Sequence, residues 1–145
     1  MPSINFFEED ISFKLKNKTA VKQWVKATIE AEGYKLQELN YIFCSDEYLL
    51  KINQQYLDHD TYTDIVTFDN SEKEGVIEGD IFISIDRIRE NAIKFDSGEI
   101  NELHRVIIHG ALHLLGYQDK TAEKKKVMTG KEDLYLGQRN FTQFG

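Results

Sequence analysis

Along the chain, apolar side chains recur with two periods, and the change from one to the other marks the elements. Ile4-Asn5-Phe6-Phe7 opens an aromatic, β-prone segment that the pattern carries on to Leu15. Val21, Trp24, Val25 and Ile29 recur at helical spacing, and Gly33 stands where the C′ residue of that helix belongs. Asn40-Tyr41-Ile42-Phe43-Cys44 reads as a buried strand. Ser45 and Asp46 offer N-caps to a helix running to about Tyr56, with Leu49, Ile52 and Tyr56 inward. Ile65-Val66-Thr67-Phe68 and Ile81-Phe82-Ile83 are two further short strands, divided by a loop bearing Gly and Glu. Asp86 can cap a helix carrying Ile88, Ala92 and Phe95. A long helix follows from about Glu99 to Leu115, and a last one from about Thr121 to Leu136. Four strands and five helices in this order do not alternate strictly. The expected fold is a single α+β domain over residues 1–145, with helices packed on a small mixed four-stranded sheet.

Composition narrows the class. The 145 residues are 41% hydrophobic and 30% charged, with a net charge of −7, which excludes a disordered or collagen-like chain. There is no apolar run of 18 residues, so no membrane span is expected. Residues 1–30 lack an apolar signal core, which argues against export. The single cysteine, Cys44, has no internal disulfide partner and fits a reducing cytoplasm. An acidic total argues against coating nucleic acid by charge alone, and DNA is not an expected partner. The charge is uneven, however. Residues 101–145 hold five acids and seven bases, with Lys120, Lys124, Lys125, Lys126 and Lys131 supplying most of the excess.

The chemistry concentrates in the last third. His109 and His113 are four apart, about 40° on the helical wheel, so both rings leave one face of the long helix. That helix is apolar nearly all round and therefore buried. Two charged imidazoles there would be expensive, and a divalent cation taking both as neutral ligands removes the expense. Gly116 falls where the helix would end in a left-handed turn, which can bring Asp119 back towards the rings. Three protein donors with an open fourth position form a catalytic zinc arrangement. Such an ion lowers the pKa of a bound water to about 7 and polarises a phosphoryl or carbonyl oxygen. His-x-x-x-His-x-x-Gly-x-x-Asp matches the metzincin metal scaffold with Asp in the third place. A zinc protease also needs Glu straight after its first His. Here that residue is Gly110, so peptide hydrolysis is disfavoured.

Other candidates read more plainly. His104 points about 140° away from His109 and is expected at the surface or in a hydrogen bond. His59 lies in an acidic loop with Asp58 and Asp60 and reads as solvated, and Cys44 reads as an inert core thiol. Thr63 and Asp64 read as loop-to-strand capping residues, with a substrate-facing strand edge as the alternative; Asp80 reads the same way.

His109-Gly110-Ala111-Leu112-His113-Leu114-Leu115-Gly116-Tyr117 resembles the signature of the YbeY family of bacterial endoribonucleases. Ile52-Asn53-Gln54-Gln55-Tyr56, Asp60 and Thr63-Asp64-Ile65-Val66-Thr67-Phe68 resemble a second family block, and Gly79-Asp80-Ile81 a third. The resemblance covers about residues 40–136. It implies a zincin-like α+β domain with one zinc ion, acting on single-stranded RNA in ribosomal RNA maturation, with ribosome or ribosomal-protein partners. It departs from the family at two places. Asp119, preceded by Gln118, stands where the family usually has a third histidine preceded by Asp; aspartate is a competent zinc ligand. Leu57 stands where the family usually has an arginine thought to serve the RNA, and an aliphatic chain cannot neutralise a phosphate. Lys120 and Lys124 are the candidates to supply that charge. Two rival functions stay open at this point: a zinc hydrolase of another substrate, and a non-catalytic ribosome-assembly factor with a structural metal.

Overall fold

Alternation of inward and outward side chains makes the sheet two-faced. In the computed structural model, which describes residues 2–57, 63–139 and 141, the strands are β1 (Ser3–Glu9), β2 (Lys35–Cys44), β3 (Ile65–Asp69) and β4 (Val76–Ser84). They lie in the order β1-β2-β4-β3, with β1, β2 and β4 parallel and β3 antiparallel at the edge. Leu39, Tyr41 and Phe43 of β2 and Ile77, Ile81 and Ile83 of β4 point into the main core. Phe68 and Phe82 face the other way, packing with Leu49 and Ile52.

Among the described residues five helices cover this sheet: α1 (Lys18–Ala31), α2 (Asp46–Leu57), α3 (Ile85–Phe95), α4 (Glu99–Leu114) and α5 (Ala122–Leu136). The expected α+β class with a mixed four-stranded sheet and five helices is what forms. Val21, Trp24, Val25 and Ile29 of α1 enter the main core beside Val106, Ile107, Ile108, Ala111 and Leu112 of α4. At its centre the fully buried Tyr41 hydroxyl donates to the Ile107 carbonyl at 2.9 Å, fixing α4 on the sheet. Cys44 is fully buried, and burial pushes its thiol up to about 12, so it is the inert core group expected.

Four local expectations need correction. The first strand ends at Glu9 rather than running to Leu15, because Asp10 takes a left-handed φ of 55° and breaks the ladder. Ser84, not Asp86, caps α3: its Oγ accepts from Arg87 N at 3.1 Å, while Asp86 accepts from Asp46 N at 2.9 Å. Tyr56 and Phe95 are each 61% exposed, since both sit in last turns. Tyr56 instead meets Phe68 edge-on at 5.8 Å. Asp80 joins a polar ladder across the strands: Asn5 donates to Asn40, Asn40 to Asp80 and Asn70 to Asp80, at 3.0, 3.0 and 3.2 Å. It is a structural residue. His59 and Asp60 lie outside the described residues.

Candidate metal centre

Helix α4 ends as its sequence dictates. Gly116 adopts φ 104°, and the amides of Gly116 and Tyr117 turn back to the carbonyls of His113 and Leu112 at 3.0 and 3.1 Å. This is a Schellman turn, which reverses the chain within one residue past the cap. It returns Asp119 to the two rings. Asp119 Oδ2 lies 3.4 Å from His109 Nε2 and 3.5 Å from His113 Nε2. One donor atom from each of the three residues falls within 4.8 Å of the other two.

The far nitrogen of each ring is already occupied. His113 Nδ1 lies 3.0 Å from the Tyr117 carbonyl, an acceptor supplied by the same turn. His109 Nδ1 lies 2.5 Å from Glu132 Oε2, and Arg105 holds the other Glu132 oxygen at 2.7 Å. A histidine that donates through Nδ1 presents its Nε2 lone pair. Two such lone pairs and a carboxylate oxygen facing one point are donors that one divalent cation could take.

Charge around the centre is acidic. Burial works against a protonated His109, but Glu132, Asp119 and Asp64 outweigh it and raise its pKa. At His113 burial and the neighbouring His109 both lower the pKa. Burial raises the pKa of Asp64, against the opposing pull of His109. A pocket of about 180 Å³ is lined by Asp64, Arg105, His109, Asp119, Lys125 and Glu132, among others. Asp64 therefore faces the site, whereas Thr63 is turned back to the Ile65 carbonyl at 3.4 Å.

The glycine after the first histidine has a packing reason. A Cβ on Gly110 would stand 2.9 Å from both Ile65 Cδ1 and Ile81 Cγ2. Helix and sheet approach closely enough there that even a methyl would force Ile65 or Ile81 to shift, and a protease glutamate more so.

The turn is clamped from α1. Glu32 accepts from the Tyr117 hydroxyl at 2.5 Å, from the Tyr135 hydroxyl, and from Lys131 at 3.1 Å. Burial would raise its pKa, yet these three donors hold it below the usual carboxylate range. Tyr34 adds a bond to the Leu115 carbonyl at 3.0 Å.

Of the proposed basic contacts, Lys120 is exposed, and Lys124 donates to Gln118 at 2.9 Å on the neighbouring groove. Lys125 is the lysine that reaches the pocket lining. Leu57 is 40% exposed at the end of α2. His104 is buried and hydrogen-bonded, accepting from Arg139 at 2.8 Å, and stands apart from the cluster. Sequence reasoning missed Glu132, Arg105 and Glu32. One signal was present: Met128, Glu132 and Tyr135 fall at helical spacing, so a carboxylate sits on the buried stripe of α5.

The fold is a small α+β domain, and its candidate donor set includes two histidines four apart on one helix, a spacing like that of the zincins. Residues 3–140 match the family described as Endoribonuclease YbeY. A protein of that name from Cytophaga hutchinsonii is 54% identical over 139 residues, 96% of this chain and 97% of the relative. Another from Amoebophilus asiaticus is 46% identical, covering 94% of each. The solution structure of TM1509 from Thermotoga maritima superposes with a TM-score of 0.64 at 28% identity, over 92% of this chain and 87% of that one. The chain belongs to the YbeY endoribonuclease family and is a hydrolytic nuclease acting on RNA.

Proposed function

We propose that this chain, one domain over residues 1–145, cleaves phosphodiester bonds of single-stranded RNA during ribosomal RNA maturation in the cytoplasm, in contact with the ribosome. His109, His113 and Asp119 hold one zinc ion. The observation that carries the reading is the convergence of their three donor atoms within 4.8 Å while both Nδ1 atoms are engaged elsewhere. The ion, when bound, supplies Lewis acidity towards a phosphoryl oxygen. The chain's own residues orient and select. Glu132 and the Tyr117 carbonyl set the two imidazoles, and Arg105 holds Glu132 in place. Asp64, Glu102 and Glu132 are the pocket carboxyls outside the donor set, and of these Glu132 is tied to Arg105 and His109 and Glu102 accepts from Ser97. Lys120 and Lys124, exposed beside the turn, meet the RNA backbone in the role that Leu57 cannot fill.

The test combines metal content with cleavage of single-stranded ribosomal RNA in wild type, His113→Ala and Asp119→Ala. Both variants lose the metal and, with it, most of the cleavage. A wild type purified without chelators that carries no metal overturns the reading. Charge reversal at Lys120 and Lys124 weakens RNA binding and flattens its salt dependence by roughly one unit of slope for each phosphate no longer neutralised.

A further inference from the structure

We propose that Glu132 is a positioning residue that makes α5 part of the metal centre: it sets His109 for the ion, and ion loading in turn holds α5 in place. This rests on the reading of His109, His113 and Asp119 as metal donors.

The two histidines are oriented by different parts of the chain. His113 takes its bearing from Tyr117, in the turn that closes its own helix. His109 takes its bearing from Glu132, 23 residues on, in α5. The Glu132 side chain is only 7% exposed, a setting in which an unpaired carboxylate is strongly disfavoured. Both of its oxygens are engaged, one by His109 and one by Arg105, so the group cannot rotate. A carboxylate accepting from Nδ1 holds the ring in the tautomer with Nε2 free, and partners of this kind carry roughly 10- to 100-fold of metal affinity.

The coupling also runs the other way. Asp64, Glu102, Asp119 and Glu132 line one small pocket, where Arg105 and Lys125 are the cations among the lining residues. Arg105 is shared with Asp133 at 2.6 Å. An ion taken by His109 through Nε2 would leave that ring able only to donate from Nδ1, so that Glu132, and α5 with it, is held to α4 by the 2.5 Å bond. Helix α5 also carries Lys124 and Lys125, so loading sets where these cations stand.

The experiment compares wild type, Glu132→Gln, Glu132→Ala and a control, Trp24→Phe. The control removes the 2.8 Å bond from Trp24 Nε1 to the Tyr135 carbonyl, loosening α5 away from the site. Zinc affinity is measured by competition with a chromophoric chelator, and amide exchange of α5 is followed with and without zinc. Glu132→Ala weakens zinc binding roughly 10- to 100-fold, and Glu132→Gln, which keeps an acceptor but no charge, falls between. Trp24→Phe melts lower yet binds zinc as wild type does. Zinc slows α5 exchange severalfold in wild type and hardly at all in Glu132→Ala. Zinc affinity within twofold of wild type in folded Glu132→Ala overturns the proposal, as does an equal loss in Trp24→Phe. A wild type that takes up no zinc overturns instead the donor assignment beneath it.

Discussion

At the N-terminal half of α4, His104 is 3% exposed, with ring centres of Trp24 and Phe141 at 5.7 and 5.5 Å and the Arg139 guanidinium on its Nδ1. Five residues on, His109 faces Glu132 and Asp119. Both rings are largely withdrawn from water, and both hydrogen-bond through Nδ1. Their partners differ in charge. Burial, with the positive charge of Arg139, lowers the His104 pKa to about 4, while carboxylates raise that of His109 against the same burial. Burial alone does not make a ligand. What stands opposite the ring decides between a neutral strut and the metal donor proposed for His109.

The largest effect expected from this contrast is pH-dependent. Folded His104 stays neutral down to about pH 4, whereas the unfolded side chain takes its proton near 6.5. Between those values the unfolded state binds more protons, so stability falls as pH falls. The contribution is fully present above pH 6.5 and shrinks by about 3 kcal/mol on reaching pH 4, an order-of-magnitude figure. His104→Gln keeps an acceptor for Arg139 but has nothing to titrate. Denaturant unfolding at about pH 7 and about pH 4.5 is expected to show a smaller acid loss in the variant, with zinc affinity at neutral pH unchanged. A zinc affinity that dropped with His104→Gln would erase the difference between the two ends.

That the two ends differ was partly legible in the sequence, because the relevant residues are close in the chain. His109, His113, Gly116 and Asp119 lie within eleven residues, and one helix followed by one tight turn relates them. Angle on the helical wheel alone separated His104 from them. The orienting groups were not legible, since they arrive through tertiary packing: Glu132 and Arg105 from 27 residues apart, Glu32 from 85 before Tyr117. No spacing rule spans such distances. The same limit explains Tyr56 and Phe95, whose helical phase is right for burial but whose turns overrun what they could pack against. For Asp64, strand phase could not tell a capping residue from one that faces the site across the β3 edge.

A smaller effect tests how closely the site end of α4 must ride on the sheet. Gly110→Ala places a methyl 2.9 Å from Ile65 Cδ1 and Ile81 Cγ2. Overpacking of this kind costs about 1–3 kcal/mol, of which the better helix propensity of alanine returns at most about 1. A net loss of up to about 2 kcal/mol is expected from chemical denaturation. Gain of stability would mean that the approach of helix to sheet is looser than these distances require.

The smallest effect separates a helix end that merely stops from one that builds a site. A Cβ at Gly116 meets nothing within 4 Å, so Gly116→Ala is penalised by its φ of 104° alone, about 1 kcal/mol. Gly98, before the first residue of α4, is equally open but combines φ 82° with ψ 142°, a region nearly confined to glycine, so Gly98→Ala should lose at least as much. The functional consequences diverge. Gly98 opens a helix turn remote from the donors, so its replacement leaves zinc affinity as it was. Gly116 sets both the Tyr117 carbonyl on His113 and the return path of Asp119, so its loss of stability comes with weaker zinc binding. Gly116→Asn, which tolerates a left-handed backbone better, should lie between alanine and wild type in both measurements. Equal zinc affinities in Gly98→Ala and Gly116→Ala would mean that the turn terminates the helix without positioning the donors.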